Sequence, residues 1–459
     1  MKSNTESTNK LATESIGKLI WQYSIPSITG AVAMSLYNIV DRIFIGQGVG
    51  ALAISGLSLT FPFMIILLAF GMLIGAGSAS RLSITLGEGN IDKAEKILAN
   101  ALILTIIISG TAIVFSYIFM VDLLRLFGGT ENTIQYAIEY MQIIIPGGIL
   151  TALYFGFNNI MRASGFPRKA MYSILLGAIM NTILDPVFIF VFDMGIRGAA
   201  IATVISYFVG GVWVFSHFFG TSTSIRFRRK NFKLEKDIII SILSIGMSPF
   251  SMQFAASLVV IIINGTLLHY GGDLAIGAYG ILNSVLTLVI MLIIGLNQGT
   301  QPIIGYNYGA KLHHRVIKTL KIGAVTATIM TSLGFIIFMF FSKSVVSVFT
   351  IDEELQTIAA NGLRISVIMF PVIGFQIVVS NFFQSIGKAK IAIFLSLTRQ
   401  FIFLIPCLLF LPRIFGLNGA WMSLPVADGL STLVTSITIL LFLRKFHFEF
   451  ISENHQIKY

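Results

Sequence analysis

The sequence predicts an all-α membrane protein with twelve transmembrane helices in two parallel-repeat six-helix bundles. Three observations carry that expectation. The first is composition: of 459 residues, 55% are hydrophobic and 11% charged, and mean hydropathy is +0.87. Long uncharged runs recur throughout, and about 20 apolar residues at ~1.5 Å rise cross a bilayer core. The second is charge placement. Loops of one parity hold 24 Lys and Arg, among them Arg226, Arg228, Arg229, Lys230, Lys233 and Lys236, whereas the opposite loops hold only Arg125, Arg197, Lys343 and Arg413. By the positive-inside rule both termini are cytoplasmic. The third is an internal repeat. A shift of 222 residues aligns Gly50 with Gly272, Gly77 with Gly299, Gly87 with Gly309, Asn159 with Asn381 and Gly165 with Gly387; at 221, Gly195 and Gly198-Ala199 meet Gly416 and Gly419-Ala420. An even number of spans per unit inserts both halves the same way up, related by a pseudo-twofold along the membrane normal.

In order, the expected spans cover about 18–45, 51–79, 97–120, 136–161, 170–192, 198–220, 238–268, 274–306, 321–342, 358–386, 391–411 and 419–443. The resulting organisation is a cytoplasmic tail (1–17), an N-terminal lobe (18–220), a basic cytoplasmic linker (221–237), a C-terminal lobe (238–443) and a second cytoplasmic tail (444–459). The polar first residues lack a basic segment followed by an apolar core, so no cleavable signal is expected. The net charge of +11 is accounted for by the basic loops and gives no reason to expect nucleic acid. The single Cys407 lies in an apolar run, which excludes disulfides and thiolate metal sites. His313-His314 sits in a basic loop and reads as a solvated face.

Few charges fall within spans: Asp41, Arg42, Asp185, Arg364, Arg399 and Asp428. Asn181-Thr-Ile-Leu-Asp185-Pro186 interrupts the fifth span with a carboxylate, which costs several kcal/mol unless paired, hydrated or protonated. Asn181 and Asp185 are four apart and share a helix face, and Pro186 frees nearby carbonyls. Shifted by the repeat, Asp41 meets Ile263, Asn181 meets Phe403 and Asp185 meets Cys407. The fold therefore does not require polar groups there, which favours function over architecture. The bland readings are an Asp185–Asn181 bond that merely joins helices and an interfacial Asp41–Arg42 pair. Pro26 can bend the first helix, and Thr203 can add a hydroxyl to the same site. Tyr140, Asn158, Gln253 and Asn283 are further candidate polar groups for a cavity.

Asp428 and Arg399 lie about nine and eight residues in from opposite ends of the last two spans. At ~1.5 Å per residue their axial offset is only ~5 Å across a ~30 Å core. An ion pair is the economical expectation, with separate hydration or Gln400 as alternatives. Gly75-Ala-Gly77 follows no strand and is no dinucleotide loop. Gly71-x-x-x-Gly75 and Gly305-x-x-x-Gly309 read as close helix packing.

Tyr37-Asn-Ile-Val-Asp41-Arg-Ile-Phe-Ile-Gly46 with Ala51-Leu-Ala53, Gly87-x-Gly-Asn-x-x-Lys-Ala94, and Asn181-x-x-x-Asp185-Pro leading to Gly195-Ile-x-Gly-Ala-Ala-x-Ala-Thr203 resemble the signatures of the multidrug and toxic compound extrusion (MATE) family. The resemblance spans essentially the whole chain. It implies efflux of organic, mostly cationic compounds by antiport, with H⁺ or Na⁺ as coupling ion and no cofactor. It also implies that Asp41, Asn181, Asp185 and Thr203 form an N-lobe cation site, with Na⁺ held by the first three if Na⁺ is the ion, and that Pro26 is a bending proline. Some members carry a Glu in the seventh span; here Ser248-Pro-Phe-Ser-Met-Gln253 has no acid, which puts a C-lobe cation site of that kind in doubt. The expected protein is a monomer in the plasma (inner) membrane, with small organic substrates and the bilayer as partners. A flippase for lipid-linked oligosaccharides would want several cations for pyrophosphate, where only Arg364 and Arg399 are available. A membrane-embedded enzyme finds no support in a soluble loop, a His cluster or an acid-rich metal motif.

Overall fold

The computed structural model describes residues 10–456 apart from 50, 128, 129, 132, 221, 222 and 224. Gly50, the first nine residues and Lys458 thus lie outside the described residues, as does the side chain of Arg42 and with it the Asp41–Arg42 pair. The described residues are almost wholly helical. Ten helices are long and apolar enough to span a bilayer and an eleventh span is a bent pair; the longest of the ten, Ala389–Lys445, is two helices meeting at a non-helical Gly416. The twelve are α1 (Ile16–Gly48), α2 (Ala51–Gly87), α3 (Ile91–Ile118), α4 (Ile134–Ala163), α5 (Pro167–Val191), α6 (Gly195–Phe219), α7 (Lys236–Gly272), α8 (Leu274–Gly309), α9 (His313–Phe340), α10 (Glu353–Ser366 with Phe370–Ser385), α11 (389–415) and α12 (417–456).

The repeat is visible in the backbone. Gly165 (φ 102°) and Gly387 (φ 74°) share the left-handed turn their alignment demands, as do Gly195 (φ 54°) and Gly416 (φ 58°). At the 222-residue shift Gly89 (φ 74°) even finds a positive φ on Lys311 (φ 58°). The short helices Met120–Leu126 and Ser342–Ser347 also begin 222 residues apart.

Several helices overrun the expected spans. α2 continues to Gly87 rather than about 79, and α9 begins at His313 rather than about 321. Hydropathy marks the bilayer, whereas caps mark helix ends: the Asn90 side chain accepts from Lys93 N at 3.0 Å to start α3 well before its apolar core. The tenth span, expected to be continuous over 358–386, is instead broken by 57°. Pro371 has no amide to donate and disfavours helical backbone at Phe370. Before the break, Asp352 caps Leu355 N at 2.8 Å, and Glu353 and Glu354 occupy the favourable first turn.

Two compact units emerge: residues 1–257 with 290–323 and 383–393, and residues 258–289 with 324–382 and 394–459. Within the first, the expected close helix packing is present. Gly75 lies against Gly156 with no room for a Cβ. The ends of α2 and α8 that lead into the basic loops meet reciprocally. Gly87 abuts the Tyr306 carbonyl while its repeat mate Gly309 abuts the carbonyl of Ile84, the mate of Tyr306. Gly246 of α7 presses on Leu73 in the same backbone-to-backbone manner. These contacts bring α2, α7 and α8 together backbone to backbone within this unit, which also holds the apolar cluster around Phe63, Met141, Ile145 and Ala199. The second unit has its own core around Trp421, Leu363 and Phe370.

Candidate functional site

α1, α4, α5 and α6 bring Asp41, Tyr140, Asn181, Asp185 and Thr203 together inside the first unit, all of them buried. The spacing of four puts Asn181 and Asp185 on one face of α5, and the Asn181 amide nitrogen donates to Asp185 Oδ1 at 3.1 Å. The same nitrogen donates to Thr203 Oγ1 at 3.3 Å, tying α5 to α6. Tyr140 of α4 is buried beside Thr203. The carboxyl of Asp41, carried by α1, lies beside that of Asp185, close enough for the two to interact directly. Directly after Asp185, Pro186 withholds its amide and the chain widens into a π-helical turn over Val187–Val191.

The chemistry of this set suits a small cation. Two carboxyls and a hydroxyl supply oxygen, and the Asn181 carbonyl oxygen is buried with no hydrogen-bond partner among the described residues. Two ionised carboxylates carry two negative charges, so a proton on either acid, or a Na⁺ drawing on these oxygens, would halve the charge of the group.

Next to it lies a cavity of about 10 Å³ lined by Met34, Tyr37, Tyr154, Gly177, Asn181 and Tyr207, among others, room for about one water. The hydroxyls of Tyr37 and Tyr207 face each other at 3.4 Å, and Tyr207 stacks on Tyr154 at 5.9 Å between centroids. Sequence reasoning missed these tyrosines as site residues. The signal was helical spacing, since Tyr37 is four before Asp41 and Tyr207 four after Thr203.

Asn158 does not join this cluster. It donates to Ser173 Oγ at 2.7 Å and to Ala170 O at 2.8 Å, near the basic end of α4 and α5. There it also accepts from Arg162 at 2.6 Å. Arg162, counted as a loop charge, is in fact buried, and it reaches Ser27 beside Pro26 on α1 (3.4 Å) and Gln298 on α8. α1 itself runs unbroken through Pro26. Gln253 is half-buried and Asn283 exposed, and neither belongs to the cluster. In the second unit Arg399 Nε donates to Asp428 Oδ1 at 2.5 Å.

A duplicated bundle of six spans, with a polar cluster buried among the helices of one half, has the build of a membrane transporter. Comparison with known proteins gives the family. The MatE family profile matches residues 26–187 and again 249–409, one match in each half, and the chain belongs to the MatE family. Its members are transporters, so the protein is a transporter and not an enzyme. Multidrug export protein MepA of Staphylococcus aureus (strain NCTC 8325 / PS 47) is 27% identical over 428 residues, 92% of this chain and 93% of that one. MepA of Staphylococcus haemolyticus (strain JCSC1435) is 26% identical over 414 residues, covering 90% and 91%. A solved structure of the MATE multidrug transporter DinF-BH is 36% identical, with a TM-score of 0.87 over 93% of this chain and 96% of that one. An outward-facing MATE transporter of the MOP superfamily shares the fold at a TM-score of 0.91 and 22% identity, covering 96% and 99%.

Proposed function

We propose that this protein exports organic, mostly cationic compounds by antiport, with H⁺ or Na⁺ taken up at Asp41, Asn181, Asp185 and Thr203. The observation that carries the reading is the burial of Asp41 and Asp185, from different helices, side by side, with Asn181 hydrogen-bonded to Asp185 and Thr203. Such a group holds one proton or one cation more easily than none, and occupancy changes the charge inside the first unit. That change acts on α1, which carries both Asp41 and Pro26 and so can bend when the group fills or empties. The MepA and DinF-BH names support multidrug export as the direction and cargo.

The protein works as a monomer in the plasma membrane with both termini in the cytoplasm, so that the basic loops face the cytoplasm. Cysteines introduced as Gly48→Cys and Lys230→Cys in a Cys407→Ala background then react with impermeant thiol reagents from opposite sides. Labelling of both from outside contradicts the orientation. The coupling ion is identified in vesicles carrying a pH gradient alone or a Na⁺ gradient alone. Efflux with one and not the other names the ion, and efflux unaffected by either refutes antiport.

A further inference from the structure

The second unit carries a cavity of about 340 Å³ at the ends of its helices away from the basic loops. Lys343, Asn361, Arg364, Leu417 and Trp421 line it. They come from three separate pieces of chain: the short helix Ser342–Ser347, the first limb of α10 and the start of α12. The floor is rigid, because Trp421 is fully buried with its indole against Gly362, where a Cβ would come within 3.0 Å of the ring. The rim is tied by Asn361 Nδ2, which donates to Asn418 Oδ1 at 3.2 Å and holds α10 to α12.

Two cations project into this one space. Of the other cations in loops of the same parity, Arg197 pairs with Glu139 at 3.4 Å, Arg413 sits 5.9 Å over the ring of Phe410, and Arg125 is exposed and does not line this cavity. Lys343 and Arg364 take part in none of the ion pairs found among the described residues. Like charges converging on one cavity repel unless an anion lies between them. The stretch bearing Lys343 is also strongly lipophilic at its surface, with Val348 82% and Ile351 96% exposed. The cation pair thus sits at the edge of an apolar belt, the depth at which lipid phosphates lie. Arg offers a planar fork of donors matched to phosphate oxygens and Lys a mobile point charge, while Leu417 and Trp421 give an apolar wall beside them.

We propose that this cavity binds the phosphodiester head group of an anionic phospholipid from the leaflet on that side, with Arg364 and Lys343 as the phosphate ligands. The proposal rests on the chain spanning a membrane and is independent of the Asp41–Asp185 cluster, so either can fail without the other.

The test is native mass spectrometry of the purified full-length protein after exchange into phosphatidylcholine, into phosphatidylcholine with phosphatidylglycerol, or into phosphatidylcholine with inorganic phosphate. Wild type should retain one phosphatidylglycerol that Lys343→Gln/Arg364→Gln loses, with each single variant intermediate and phosphatidylcholine retention unchanged. Both side chains are exposed, so the variants should melt like wild type in phosphatidylcholine alone. A second readout uses Trp21→Phe/Trp213→Phe, which leaves Trp421 as the sole indole. Its fluorescence should be quenched by brominated phosphatidylglycerol and not by brominated phosphatidylcholine. Equal phosphatidylglycerol retention by wild type and the double variant overturns the proposal. So does protection by inorganic phosphate equal to that by the lipid, which would make this a small-anion site.

Discussion

At the repeat shift of 222, Gly177 of α5 stands where Arg399 stands on α11; at 221, Tyr207 of α6 stands where Asp428 stands on α12. In the N-terminal half these two positions line a small cavity beside Asn181. In the C-terminal half they are filled by an ion pair. The reverse holds one step away. Asp41 and Asp185 meet in the N-terminal half, while their mates Ile263 and Cys407 carry no charge and Ile263 is fully buried in the apolar core. One fold thus holds two acids with an amide and hydroxyls on one side, and an acid with its own guanidinium on the other. The second arrangement is internally neutral and gains nothing by taking up a proton or cation. The first is not, and this difference is the reason the proposed ion coupling is placed in the N-terminal half.

The largest effect should come from removing that asymmetry. Asp185→Asn and Asp41→Asn each leave a shape close to the original and take away a titratable group. Gradient-driven efflux of a fluorescent organic cation should fall to the level of empty vesicles in both, with expression unchanged. Transport at the wild-type rate in either variant would break the comparison outright.

The second prediction concerns the neutral half. Asp428 is buried and its partner Arg399 half-buried. Removing one member of a buried pair costs about 3–5 kcal/mol, because the other charge is stranded, whereas removing both costs far less. Asp428→Asn should therefore lower the melting temperature sharply, and Asp428→Asn/Arg399→Gln should recover much of it, a non-additivity that a double-mutant cycle quantifies. The double variant should still transport under an imposed gradient. Strictly additive losses, or loss of coupling with stability intact, would make the C-terminal pair functional rather than structural.

Much of this was legible without coordinates, for identifiable reasons. Span number follows from hydropathy and the repeat from glycines whose backbone is left-handed at Gly165 and Gly387, positions that other residues adopt at a cost. Asp41 and Asp185 stood out because a carboxylate in an apolar run needs a reason. The Asp428–Arg399 contact is one of three readings that depth leaves open, since antiparallel neighbours offset by only ~5 Å can touch. Arg162 was not legible, because at the end of a span a buried arginine and a solvated one look alike in sequence. Its clue is a polar face, Asn158 and Asn159 lying four and three residues before it. The break in α10 was hidden because hydropathy is continuous across it, and only Pro371 marks it. Tyr37 and Tyr207 were lost among 13 tyrosines because an aromatic in a membrane helix is ordinarily lipid-facing or core.

The smallest effect tests whether those tyrosines belong to the site at all. The Tyr37 and Tyr207 hydroxyls are 3.4 Å apart, a long bond joining α1 to α6 directly beside the acids. Tyr207→Phe keeps the ring, and so keeps the stack on Tyr154 and the edge contact with Phe155 at 5.6 Å. It deletes only the hydroxyl. A neutral hydrogen bond contributes about 1 kcal/mol net, and a long one less, so the change should be within about fivefold. It should appear in the ion concentration needed for half-maximal efflux, because the bond helps hold α1, and with it Asp41, against α6. Melting temperature should hardly move, since the ring still fills its space. If the cavity serves substrate alone, the readout of Tyr207→Phe differs: substrate KM shifts while the ion dependence stays put. No change in either would place the two tyrosines outside the site and leave the acid pair to act without them.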